Sequence, residues 1–216
     1  MKTWKIAVAV ALVMLTAASA FAAGTTRTTT HRTTTTGTSG NWTFGIQGGM
    51  SKPTGDFGNL ANSGWNFGGQ ADYWMNPQWG FGGDIGYHAN TASDAVNAAL
   101  VADPFFGPGT EMKFSTMQFG VHSTYMFPTK GGTTFPYLQG GMGEYNVKST
   151  IAGGLLPGSA STSKFGVNMG GGVDFRASPT VNLGVNGTYH YVSADPSALN
   201  WFGIEGRVTF RVPTSK

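Results

Sequence analysis

The sequence contains no cysteine. That excludes a disulfide scaffold and a lipid anchor on a thioether, even for a chain that enters an oxidising compartment. Charge is also scarce: Asp, Glu, Lys and Arg make up 11% of the residues, against about 25% in ordinary soluble domains. A water-facing exterior is hard to build from so few. No apolar run reaches the roughly 20 residues that a spanning helix needs. Nor is there a basic stripe able to neutralise a nucleic-acid backbone, because Lys2, Lys5, Arg27 and Arg32 are spent near the amino terminus. Nucleic acid is not an expected partner.

The amino terminus is what an exported chain requires. Lys2 and Lys5 precede an apolar run over residues 6–15, and small residues follow over 17–23 with A-x-A patterns at Ala18-Ser19-Ala20 and Ala20-Phe21-Ala22. This reads as a signal peptide over residues 1–22, with cleavage after Ala20, Ala22 or Ala23. Its removal takes Lys2 and Lys5 away and leaves the chain close to charge balance. Residues 23–40 are rich in Thr and have no apolar period, so they have no face to bury and are expected to form a flexible leader.

From residue 41 onward one pattern repeats: aromatic-rich stretches of alternating polarity separated by turn signals. They lie at 41–50, 65–75, 79–89, 113–127, 134–147, 164–176, 180–192 and 200–212. That leaves about 21 residues for each strand with its connection, which suits tilted membrane strands of roughly 9 to 11 core residues plus loops. The connections alternate in length. Those at 76–78, 130–132 and 177–179 are short, whereas 51–63, 90–112 and 149–163 are long. Short turns on one side and long loops on the other are the habit of outer-membrane barrels.

Parity divides most strands into two faces. Trp42, Phe44, Ile46 and Met50 oppose Thr43, Gly45, Gln47 and Gly49; Trp79, Phe81, Ile85 and Tyr87 oppose Gly80, Gly82, Asp84, Gly86 and His88. In the fifth stretch Leu138 and Met142 oppose Tyr137 and Tyr145, so its parity stays open. A soluble barrel would coat its polar face with Lys and Glu, yet here that face is mainly Gly, Asn, Gln and Thr with a few acids and Arg. This suits the inside of an eight-stranded barrel, whose interior is just wide enough for side chains to fill. The expected fold class is therefore all-β, an eight-stranded antiparallel up-and-down transmembrane β-barrel over residues 41–216.

The chain resembles the small outer-membrane β-barrel family of bacterial surface proteins, the OmpA-like and opacity-protein-like porin-family barrels. The likeness covers about residues 41–212. It rests on Phe135-Pro136-Tyr137 followed by Gly140-Gly141-Met142-Gly143, on LGVNGTYHY over 183–191, and on the amphipathic final strand. It implies a bacterial outer-membrane location and, as partners, outer-membrane lipid, lipopolysaccharide and the barrel-insertion machinery. Members usually end in an aromatic residue that this machinery reads; here Phe210 is followed by residues 211–216. No carboxy-terminal peptidoglycan-binding domain is expected, and a monomer is favoured.

Chemistry-bearing patterns are few. His190 and Ser193 lie at one strand end without the spacing of an assembled triad. His88, His122 and Asp84 share the inward parity, but their spacing fixes no metal-ligand set. Gly80-Phe81-Gly82-Gly83 and Gly170-Gly171-Gly172 lie inside strands, where no helix follows to face a phosphate. No cofactor, metal or catalytic residue is expected. Two groups remain. Asp72, Asp84, Asp174 and Glu205 share the inward parity with Arg176 and Arg207, which predicts an electrostatic network that closes the lumen. In the loop over 90–112, Ser93 or Asp94 is placed to cap a short helix through Ala102. Leu100, Val101, Phe105 and Phe106 there, with Ile151, Leu155 and Leu156 in the next loop, form a candidate surface-contact region or a lid over the mouth. The expected function is non-enzymatic: a structural or surface-interaction role in adhesion or envelope integrity, with an extracellular ligand. A small-solute porin and an outer-membrane lipid-modifying enzyme are the alternatives.

Overall fold

Eight antiparallel strands close on themselves in a computed structural model that describes residues 41–194 and 197–212. They are β1 (Asn41–Thr54), β2 (Gly64–Trp74), β3 (Trp79–Thr91), β4 (Glu111–Met126), β5 (Thr134–Ala152), β6 (Gly158–Arg176), β7 (Val181–Val192) and β8 (Leu199–Arg211). Each pairs with the next, and β8 returns to β1 with Phe210 opposite Phe44 and Ile204 opposite Met50. No edge strand is left unpaired, which is the condition for backbone to cross a hydrocarbon layer. The signal over residues 1–22 and the leader over 23–40 expected from the sequence lie outside the described residues.

The apolar parity faces outward. Trp42, Phe44, Ile46, Trp65, Phe67, Phe119, Val121, Phe165, Met169, Leu183, Val185 and Ile204 are all exposed. Such a continuous apolar exterior is compatible with lipid and not with water. Trp42 packs on Tyr73 and Trp79 on Tyr125 toward the short-turn end, while Trp65 packs on Tyr87 toward the loop end. These rings mark the two borders of the apolar belt. Shallow troughs in the same surface lie where Gly48, Gly69, Gly83 and Gly206 stand in place of large side chains.

The fifth strand resolves its ambiguity with Tyr137 and Tyr145 inside and Leu138 outside. A Tyr suits the lumen because its ring fills space while its hydroxyl finds a polar partner. Trp74 also points inward, its indole N–H donating to Thr43 Oγ1 at 3.0 Å. Glu144 faces outward and is exposed, between Phe119 of β4 and Phe165 of β6.

The long connection expected over 149–163 is mostly strand. β5 and β6 continue past the apolar belt as a hairpin, with Thr150 paired to Ser159, and turn over only residues 153–157. Its Ser and Thr residues carry no alternation because both faces of a hairpin beyond the membrane meet water. The other two long connections hold short helices, α1 (Gly55–Leu60) and α2 (Asp94–Ala102). Ser93 caps α2, accepting from Val96 N–H at 3.4 Å.

Candidate functional site

Inside, the barrel is packed in layers. At the short-turn end Trp74, Met126 and Phe135 form a buried apolar floor. Two residues further along β5 and β6, Tyr137 and Asp174 meet Arg207 of β8. The guanidinium donates to Asp174 Oδ2 at 3.1 Å and to the Tyr137 hydroxyl at 2.7 Å, and it lies 4.4 Å from the Tyr137 ring centroid. In the neighbouring sector His122 stands between two carboxylates, with Nε2 2.7 Å from Asp72 Oδ1 and Nδ1 2.8 Å from Asp84 Oδ1. A proton on each ring nitrogen lets the imidazolium donate to both. Gln70 donates to Asp72 at 2.8 Å and Gln118 to Asp84 at 2.5 Å, so each carboxylate has an amide partner as well.

Glycines on the inward face make this possible. A Cβ at Gly82 would sit 2.3 Å from the Ala71 carbonyl and 2.8 Å from His122 Nε2, and one at Gly184 would sit 2.1 Å from Asp174 Oδ1. The ion pairs fill the volume that those side chains would take.

Of the six charges expected to share one network, four form ion pairs, and one of these pairs joins two of the six. Asp174 takes Arg207, whereas Asp72 and Asp84 take His122, which was read only as a weak metal candidate. Glu205 is bound by amides: Asn66 Nδ2 at 2.9 Å and Asn186 Nδ2 at 2.6 Å. Arg176 meets no acid in reach among the described residues. Its guanidinium lies 5.1 Å from the Phe135 ring centroid, as a cation–π contact at the floor. Parity reveals an inward side chain but not which two strands bring partners together.

Above Glu205 comes a ring-lined level. His190 stacks on Trp201 with centroids 4.9 Å apart, and Tyr145 and His88 meet both rings edge to face. A chamber of about 30 Å³ lies between these rings and the charged layers, lined by Asn66, His88, Gln118, Asn168, Asn186, His190 and Glu205 among others. Phe57 of α1 closes the level from above, 5.6 Å from Phe114 and 6.5 Å from Trp201 between centroids. The mouth is therefore covered by α1, not by the loop residues expected as a lid.

Those loop residues sit further out. Val101, Phe105, Leu155 and Leu156 are exposed, Phe105 at 70% and Leu155 at 72%, while Leu100 and Phe106 are half-buried. The two loops are tied together where Leu155 N–H donates to the Phe106 carbonyl at 2.8 Å, and the 90–112 loop is braced from within by the Thr110 hydroxyl, which donates to the Phe106 and Gly107 carbonyls at 3.1 and 2.8 Å. Gly153 and Gly154 turn at φ 72° and 63°, and a Cβ on either would collide with the 90–112 loop.

His190 and Ser193, the weak catalytic pair, do not form a rim site. His190 is enclosed between Trp201 and Tyr145, and the Ser193 amide is bound to the Phe165 carbonyl.

Comparison with known proteins agrees with this architecture. Neisserial surface protein A (NspA) superposes with a TM-score of 0.56 at 17% identity, over 79% of this chain and 97% of that one. The attachment invasion locus protein Ail of Yersinia pestis, solved in complex with the heparin analogue sucrose octasulfate, superposes with a TM-score of 0.52 at 17% identity, over 80% and 99%. Likeness at this identity shows the fold. No curated protein matches the sequence. The model of the outer membrane protein beta-barrel domain matches residues 8–211, and the chain belongs to that family of bacterial outer-membrane barrels.

Proposed function

We propose that this chain is a non-enzymatic surface-interaction protein, in which a plugged barrel serves as a rigid stem and the loop end faces outside the cell. The observation that carries this reading is the apolar tip. Val101, Phe105, Leu155 and Leu156 stay exposed on two loops that are bonded to one another and so hold their shape. Exposed apolar groups outside a membrane mark contact surfaces when they are held together. The layered lumen argues against the alternative of a solute channel, because Arg207, Asp174, Tyr137 and His122 occupy its cross-section. The enclosed position of His190 argues against a lipid-modifying enzyme, whose nucleophile and base have to meet at an accessible rim. The attachment that Ail's name denotes is a role of the same kind. Outer-membrane lipid, lipopolysaccharide and the insertion machinery are the partners that a barrel of this family would meet on its way to that role. Export through the expected signal over residues 1–22, with a leader over 23–40, completes the proposal.

The test is cell-surface display of the wild type beside Phe105→Ser with Leu155→Ser. Loss of binding to host cells or to matrix-coated surfaces, with heat-modifiable gel migration unchanged, supports a contact tip. Equal binding by both chains removes the loops from the function.

A further inference from the structure

The tip that carries Phe105, Leu155 and Leu156 holds no charge of its own. No Asp, Glu, Lys or Arg stands between Asp103 and Glu111, or between Lys148 and Lys164. Asp103 is the C-cap of α2, and its Oδ1 accepts from the Phe105 N–H at 2.8 Å. A surface that selects a protein partner surrounds its apolar centre with a polar rim and uses charge to set the orientation. This tip lacks both, which matches it to an electrically neutral surface.

Its backbone is arranged for a medium without water. Phe106 and Gly107 N–H both donate to the Asp103 carbonyl, at 3.2 and 2.9 Å, and Leu155 N–H donates to the Phe106 carbonyl at 2.8 Å. The Thr110 hydroxyl donates to the Phe106 and Gly107 carbonyls as well. Pro104, Pro108 and Pro157 have no N–H to satisfy. Hydrocarbon penalises each unpaired backbone group, so pairing within the loops is what insertion into lipid requires. Leu155 and Leu156 are consecutive and both exposed, so apolar side chains leave the turn in different directions. A folded protein meets one side of a protruding turn, whereas fluid lipid surrounds it. The position agrees. Register carries the outer aromatic border from Tyr87 through Met117 to Asn146, and β5 runs on to Ala152 before the turn. At about 3.3 Å per residue the turn stands on the order of 20 Å further along the strand than that border. The chain's own bilayer is out of its reach, and a membrane facing the cell meets it first.

We propose that the joined loop tips insert Phe105, Leu155 and Leu156 into the surface of an apposed, electrically neutral bilayer of the phosphatidylcholine type. This rests on the contact tip proposed above and names its partner as lipid. The three side chains reach the boundary of headgroups and acyl chains. The Ser and Thr residues over 158–163 remain among the headgroups, where their hydroxyls find partners. So few side chains hold one chain weakly, and attachment strengthens with the number of chains that face the same membrane.

The experiment uses the full mature chain in lipid nanodiscs, mixed with unilamellar vesicles of dioleoylphosphatidylcholine and floated on a density gradient beside empty nanodiscs. The wild type is expected to float with the vesicles and to do so equally in 1 M NaCl, since salt screens charge and not apolar contact. Phe105→Ser with Leu155→Ser should lower the bound fraction tenfold or more. The chain has no cysteine, so Leu156→Cys accepts a single environment-sensitive fluorophore. Its emission should shift to the blue on mixing and be quenched by brominated lipid in the vesicles. The labelled chain reports insertion even if the double variant fails to fold. Folded wild type that stays with the empty nanodiscs, binding that 1 M NaCl abolishes, or a label that brominated lipid leaves unquenched would each overturn the proposal. No vesicle binding, together with loss of cell binding in the double variant, strikes lipid as the partner and leaves the contact tip to a protein. Vesicle binding by the wild type, with equal cell binding by wild type and double variant, strikes the contact function and leaves the lipid inference standing.

Discussion

Asp72 of β2 and His122 of β4 meet at 2.7 Å although β3 lies between their strands. The contact crosses over Gly82, which offers no side chain to separate them. A Gly82→Val substitution therefore places its branch against the Ala71 carbonyl and His122 together, and neither can withdraw without breaking the pair. The variant is expected to fold with a destabilisation of about 1 to 3 kcal/mol, typical of overpacking. Urea titration of the refolded barrel in detergent measures it.

His122 is the partner of two carboxylates, so removing it leaves both without their cation. His122→Ala should cost roughly 3 to 5 kcal/mol, the range for breaking a buried pair by deleting one member. Adding Asp72→Asn and Asp84→Asn to it should recover part of that loss. Recovery in the triple variant distinguishes uncompensated charge from a simple cavity, which the two added substitutions would not relieve.

The direction of the barrel follows from its connections. Protease added to intact cells is expected to cut within residues 90–112, where α2 and the exposed Phe105 stand clear of the barrel, while the short turn at Lys130 stays protected. Cutting at Lys130 in sealed cells would reverse the orientation and move the apolar tip to the periplasm.

The same reading of the amino terminus predicts a mature chain that starts after Ala20, Ala22 or Ala23 and sediments with the outer membrane. Amino-terminal sequencing of the fractionated protein checks both parts. A start at Met1, or recovery from the soluble periplasm, would contradict them.

The barrel was legible because membrane strands carry a strict two-residue period wherever one side meets lipid. That is why Phe44, Phe67 and Ile204 could be placed outward from sequence alone. The period fades over 148–152 and 158–163, where Ser and Thr face water on both sides, and there the strands continue unseen. Partners inside the lumen were harder to read. The inward parity of Asp72, Asp84 and His122 was visible, but not that β2 reaches β4 across a glycine of β3. Charge counting also favoured Arg176, which serves the floor as a ring partner, over a histidine whose charge depends on its neighbours. Tyr137 and Tyr145 gave no signal, since a large amphipathic ring suits the lumen and the lipid border equally. The helix after Ser93 was legible from its cap. That Phe57 of α1 and not Phe106 covers the mouth depends on long-range packing against Trp201 and Phe114.

Single-channel recording in planar bilayers distinguishes a plugged lumen on a rigid stem from an open pore. Arg207 spans from Asp174 to Tyr137 just above the apolar floor, so it fills the cross-section where the floor and the charged layers meet. The wild type should show small or no conductance, and Arg207→Ala should raise it. Large and steady conductance from the wild type would contradict the plug and with it the reading of this chain as a surface-contact stem.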